Sequence, residues 1–137
     1  MNFLKNKFAV FKNLNLVVSV IVIIPVALAY GVYPKIILFK LFNIKIENND
    51  LANIFRSMMG LYLGMTAIWI LGIFKQKFWL TATITNIAFM GSLVLGRILS
   101  VILDGFPSRP FITGLLVEMI LTIWGLINLE KYRRRLE

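Results

Sequence analysis

The sequence predicts an all-α fold: an integral membrane four-helix bundle, antiparallel, with both termini in the cytoplasm. Three observations predict it. Of the 137 residues, 59% are hydrophobic and only 15% are charged, against roughly 25% charged in a soluble domain. The apolar residues gather into four runs, each long enough to cross a hydrocarbon core of about 30 Å. The basic residues collect at one set of run ends, as they do where lysine and arginine set membrane topology.

The first run covers residues 14–33 and follows Lys5, Lys7 and Lys12. A signal peptide has a shorter apolar region of about 7–15 residues and a small-residue cleavage site, so this run reads as a retained helix. Pro25 lacks a backbone donor and is expected to kink it. Tyr30 and Tyr33 fall where an interfacial belt is expected, and Pro34 marks the exit. Residues 34–50 are too apolar for free solution and too short to span. Their apolar side chains do not gather on one helical face, and from Phe42 to Glu47 they alternate with polar ones, which favours an extended piece. The segment is expected to lie at the outer membrane interface.

The second helix is expected over 51–74, with Asn49 or Asp50 as its cap. Lys75 and Lys77 form a short turn, and the third helix covers 78–101. Asp104-Gly105-Phe106-Pro107-Ser108 is a tight turn punctuated by glycine and proline. Ser108 or Arg109 caps the fourth helix, 110–129, with Pro110 in its first turn. Nine basic residues flank the ends on the side of the termini: Lys5, Lys7, Lys12, Lys75, Lys77, Lys131, Arg133, Arg134 and Arg135. Lys35, Lys40, Lys45 and Arg109 lie on the opposite side, which places both termini in the cytoplasm. The whole chain, 1–137, reads as one transmembrane domain. Trp79 and Tyr132 are expected to be cytoplasmic interface anchors, and Trp69 and Trp124 to be packing residues.

Composition excludes several chemistries. The chain has no cysteine and no histidine. Thiolate and imidazole metal sites, cysteine nucleophiles and serine–histidine triads are therefore excluded, and no cofactor or metal is expected. The formal charge of +9 flanks the apolar runs instead of forming a patch, so nucleic acid is not an expected partner.

The unabsorbed chemistry is three ionisable residues within predicted spans, Arg56, Arg97 and Glu118. Each costs about 2.5–3.5 kcal/mol at a helix centre. The topology puts all three in the outer half of the bilayer. On the third helix, Asn86, Arg97 and Asp104 share a stripe with Met90 and Leu93. On the fourth, Glu118 shares a face with Thr122 and Gly125. Arg97 and Glu118 are therefore expected to approach, with Arg56 near. Two readings stand: a structural pair with Arg56 reaching for the surface, or a ligand site of Arg56, Arg97, Asp104 and Glu118, since guanidinium groups bind carboxylates and phosphates.

Ser57, Gly60 and Gly64 form a small-residue face of the kind that lets helices approach closely. It is expected to pack within the bundle, or else to form a dimer seam. Thr81, Thr83, Thr85 and Asn86 make one half of the third helix polar and are read as structural.

The run Phe55-Arg56-Ser57-Met58-Met59-Gly60-Leu61-Tyr62-Leu63-Gly64 resembles the "R-x-x-G-G-x-Y-x-G" helix opening of a group of small bacterial membrane proteins. Gly96-Arg97, Ser100 and Asp104-Gly105-x-Pro107-Ser108 resemble that group's third helix and turn, and Glu118 its last-helix acid. The group is catalogued as domain of unknown function 4345 and is similar to the DoxX-like four-helix proteins. Met59 departs from it, standing where the group often has a second glycine. The resemblance implies a four-helix fold in a bacterial inner membrane and carries no activity.

Three functional expectations follow. The leading one is a binding or accessory protein holding an anionic or polar lipid-like ligand in an outer-leaflet pocket. The second is an intramembrane enzyme, an isomerase or quinone-linked oxidoreductase, with Glu118 as acid and base. The third is a scaffolding subunit. Expected partners are membrane lipids, and a second copy or another membrane protein.

Overall fold

A computed structural model describes residues 2–133, with side chains from Phe11 onward. Arg134 and Arg135 of the basic tail, and the side chains of Lys5 and Lys7, lie outside the described residues. All regular structure described is helical: α1 (Asn2–Gly31), α2 (Pro34–Phe42), α3 (Asn49–Phe74), a single 3-10 turn (Gln76–Phe78), α4 (Trp79–Asp104) and α5 (Arg109–Arg133). Four stretches are long and apolar enough to cross a membrane: Phe11–Gly31, Asn49–Phe74, Gln76–Asp104 and Arg109–Arg133.

Each helix begins and ends for a local reason. α1 starts twelve residues earlier than its apolar run and continues through Pro25. The 34–50 segment holds a nine-residue helix that the sequence did not announce. Pro34 opens it, since a first-turn proline forfeits no helical hydrogen bond. Asn43 closes it in the left-handed region at φ 56°, with its N–H donating to the Phe39 carbonyl at 3.0 Å; asparagine is one of the few residues that tolerate this conformation. From the end of α2 onward, Phe42, Ile44 and Ile46 pack on the core while Asn43, Lys45 and Glu47 are exposed, so burial alternates along this stretch. Asn48 caps α3, not Asn49 or Asp50: its side-chain oxygen accepts the Leu51 N–H at 2.8 Å. Gly105, at φ 88°, ends α4.

The long helices close a ring in which α1 packs on α3, α3 on α4, α4 on α5 and α5 on α1, while α2 lies on α1 and α3. Six rings run through the ring in sequence: Phe111, Phe42, Tyr30, Tyr62, Phe89 and Trp69, with successive centroids 4.9–6.4 Å apart. This separation is the favourable range for tilted and edge-to-face aromatic pairs.

At the other end, the start of the first span meets the α3–α4 turn and the end of α5. The Lys12 amine donates to Gln76 Oε1 and sits 5.0 Å from the centre of the Trp79 ring. Asn128 Nδ2 donates to the Lys12 carbonyl at 3.4 Å. Trp79 packs edge-on against Tyr132. Trp79 and Tyr132 are therefore buried core residues, not interface anchors. Lys12, itself 3% exposed, brings its charge over the Trp79 indole face, a favourable cation–π geometry.

Close helix approach uses different glycines from those expected. A Cβ on Gly72 would lie 2.2 Å from Ala82 Cβ, one on Gly125 2.7 Å from Ile87 Cγ1, and one on Gly31 2.5 Å from Met59 Cβ. The bulk of Met59 is thus received by Gly31 of α1. Ser57, Gly60 and Gly64 are exposed, and a Cβ on either glycine would meet nothing within 4 Å. The expected packing of this face within the bundle is corrected, because α3 turns its Tyr62, Thr66 and Trp69 stripe inward instead. Gly72→Ala is expected to lower unfolding stability in detergent by about 1–3 kcal/mol through overpacking. Gly64→Ala should stay within about 0.5 kcal/mol.

Candidate functional site

Arg97 lies two turns from the end of α4, and Glu118 lies in α5. Arg97 Nε donates to Glu118 Oε2 at 2.7 Å and Nη2 donates to Oε1 at 2.9 Å. This two-pronged geometry is the strongest form of ion pair available to side chains. The Glu118 side chain is 8% exposed and that of Arg97 22%, so the carboxylate is the buried partner and the guanidinium lies nearer the bundle surface.

The pair is held from several sides. Gly114, one turn before Glu118, leaves room for the guanidinium: a Cβ there would come within 3.4 Å of Arg97 Nη2. The Phe111 ring lies 5.7 Å from Arg97 Cζ, in cation–π range. Tyr30 lines the same cleft as both residues, and Tyr62 packs edge-on against Tyr30. Thr122 spends its hydroxyl on the Glu118 backbone carbonyl at 2.7 Å and does not reach the carboxylate.

Two clefts flank the pair. One, of about 130 Å³, lies among α1, α2, α4 and α5, with Tyr30, Phe42, Arg97, Phe111, Thr113 and Glu118 in its walls and Ile23, Met90 and Leu121 also lining it. The other, of about 140 Å³, lies between the ends of α4 and α5 and is lined by Ile98, Ile102, Phe106, Phe111 and Ile112 with Arg97. Arg97 and Phe111 line both, so they form the partition between them.

The structure brings together only two of the four residues singled out as a ligand site. Arg56 is exposed on α3 and lines neither cleft. Asp104 is exposed at the end of α4, where it accepts a 3.4 Å hydrogen bond from the Ser100 hydroxyl. The polar stripe of α4 therefore runs through Asn86, Met90, Leu93 and Arg97 and lapses before Asp104. Tyr30, Phe42, Phe111 and Gly114 complete the site. Tyr30, expected in an interfacial belt, is instead buried in the core, and Gly114 could have been found as a small residue one helical turn from a buried acid.

Chemically, the arrangement is neutral. Both carboxylate oxygens are engaged by Arg97, and one charge cancels the other. What it offers an incoming group is an array of donors and acceptors at the wall of an apolar space. Removing one partner of such a buried pair costs about 3–5 kcal/mol, whereas replacing both with apolar residues is often neutral. Glu118→Ala is thus expected to destabilise by about 3–5 kcal/mol in a denaturation series, and Glu118→Gln by less. The Arg97→Leu/Glu118→Leu double variant should be more stable than either single variant.

A family model described as "Domain of unknown function (DUF4345)" matches residues 11–129, which contain all four long helices' spanning cores and the pair. No curated protein and no solved structure matches the chain.

Proposed function

The chain belongs to the DUF4345 family of domains of unknown function, and we propose that it is a membrane-embedded binding protein that takes the polar end of a lipid-like molecule beside the Arg97–Glu118 pair. In this reading the helices form an antiparallel bundle in a bacterial inner membrane. Both termini are cytoplasmic, and the cleft opens in the outer leaflet.

The observation that carries the reading is an ion pair in the wall of an otherwise apolar cleft within the spanning helices. A ligand site of this kind, mostly apolar with a few placed polar groups, is the common form for small amphiphiles. A space of about 130 Å³ suits a ring or short chain segment, since a cavity near 150 Å³ holds a benzene-sized group. The neutrality of the pair favours a hydroxyl or carbonyl over a free anion. An anion would have to compete with Glu118 for Arg97, leaving a carboxylate unpaired at a cost of several kcal/mol. The same engagement of both oxygens argues for Glu118 as a positioning group over Glu118 as the acid–base of an isomerase or quinone-linked enzyme.

A second reading rests on a separate observation. The open Ser57/Gly60/Gly64 face has the spacing that lets two membrane helices approach, which favours a seam with a second copy or another membrane protein.

Native mass spectrometry after gentle purification tests the main reading. Wild-type protein is expected to retain an amphiphile, and the Arg97→Leu/Glu118→Leu double variant, which keeps the volume and removes the polar groups, is expected to lose it. Retention at wild-type occupancy in the double variant contradicts the proposal. The second reading is checked by disulfide trapping of Gly60→Cys in membranes, which should give a covalent dimer if copies meet there.

A further inference from the structure

Below the outer cleft lies a second set of polar side chains that the pair does not explain. Asn15 and Ser19 of α1, Trp69 of α3, and Thr83 and Asn86 of α4 are each at most 1% exposed. Among the described residues, Asn15 Oδ1, Ser19 Oγ, Trp69 Nε1, Thr83 Oγ1 and both side-chain polar atoms of Asn86 have no hydrogen-bond partner. Within a membrane-spanning bundle each such group costs several kcal/mol unless it is satisfied internally.

Their positions along the helices place these residues near one level of the bundle. Ser19 lies one turn from Ile23 on α1, and Asn86 one turn from Met90 on α4. Gly125 lies one turn from Leu121 on α5. Ile23, Met90 and Leu121 all line the outer cleft, so Ser19, Asn86 and Gly125 sit one turn beneath its floor. Contacts bind the region across helices. Asn15 Nδ2 donates to the Leu121 carbonyl at 3.1 Å. A Cβ on Gly125 would lie 3.6 Å from Asn15 Oδ1 and 2.7 Å from Ile87, the neighbour of Asn86. Trp69 stacks edge-on against Phe89, one turn along from Asn86. On the far side, Lys12, Gln76, Trp79 and Asn128 close the end of the bundle.

We infer that this layer, one turn beneath the outer cleft, is a second site that holds a small cluster of water molecules inside the bundle. The chemistry selects the occupant. The unpartnered groups include an obligate donor (Trp69 Nε1), an obligate acceptor (Asn15 Oδ1) and groups that do both (Ser19, Thr83, Asn86). None is ionised, so neither an anion nor a cation finds a counter-charge among them. Water donates and accepts, and buried waters typically make about three hydrogen bonds to otherwise unsatisfied groups. The apolar layer of Ile23, Met90 and Leu121 then separates two polar compartments, one at the ion pair and one around Asn86. The inference does not depend on what occupies the outer cleft.

Water-edited solid-state NMR of the protein in lipid bilayers tests it through the indole proton of Trp69, assigned by its loss in Trp69→Phe. The expected result is polarisation transfer from water to Trp69 Nε1–H and to the Asn86 side-chain amide. In Thr83→Val/Asn86→Leu, which removes the groups on α4, the transfer to Trp69 should be lost. Transfer to Trp69 from protein side-chain protons alone, with no water component in the wild type, overturns the inference. So does transfer that persists undiminished in the double variant. The wild-type spectrum decides by itself should that variant fail to fold. Retention of an amphiphile in the outer cleft is read separately by mass spectrometry, so the two proposals stand or fall apart.

Discussion

A guanidinium and a carboxylate carried into hydrocarbon by spanning helices have few ways to be tolerated, and the Arg97–Glu118 pair uses the best of them. Its two parallel hydrogen bonds, at 2.7 and 2.9 Å, tie α4 to α5 at one register. A slip of one residue would swing either group by about 100° around its helix and leave a buried charge unpaired. The neighbours follow from this constraint. Gly114 must be small because the guanidinium lies against α5. Phe111 offers its ring to the same cation, and through Phe42 and Tyr30 it begins the line of rings that crosses the bundle to Trp69. The two clefts exist because Arg97 and Phe111 stand between them.

The interior is layered along the helices. At the end bearing the termini, Lys12, Gln76, Trp79, Asn128 and Tyr132 form a closed polar and aromatic plug. Next come Asn15, Ser19, Thr83 and Asn86, then the apolar Ile23, Met90 and Leu121, then the ion pair. Such alternation confines each polar group to its own compartment. The same layering accounts for α1, apolar by composition, burying Lys12, Asn15 and Ser19 on one face: lipid would be a worse solvent for them than the bundle interior.

Much of this was legible in the residues. The four apolar runs announce the long helices, and counting depth from their ends brings Arg97 to the level of Glu118. The alternation from Phe42 to Glu47 reappears as alternating burial, although Phe42 ends a helix and Asn43 is left-handed. What escaped the sequence has physical reasons. α2 escaped because its inward residues, Leu38 and Phe42, are accompanied by exposed apolar Ile36, Phe39 and Leu41; a helix in an apolar medium need not be amphipathic. The same medium hid the orientation of the glycine face, since a GxxxG spacing reads identically whether turned to the bundle or away from it. Burial of Lys12 escaped because its partners, Gln76 and Trp79, are distant in the chain and only the closed ring brings them to it. Asp104 continues the stripe of Arg97 by periodicity, yet the helix has by then run past the bundle's interior.

Arg97 and Glu118 are bonded to each other in the folded protein. Dipolar recoupling between guanidinium ¹⁵N of arginine and carboxylate ¹³C of glutamate, in bilayers, measures this directly, with Glu118→Gln identifying the signal. A bidentate contact with N–O distances of 2.7 and 2.9 Å should give strong dephasing. A separation beyond about 8 Å, well past the ~4 Å limit of an ion pair, would contradict it.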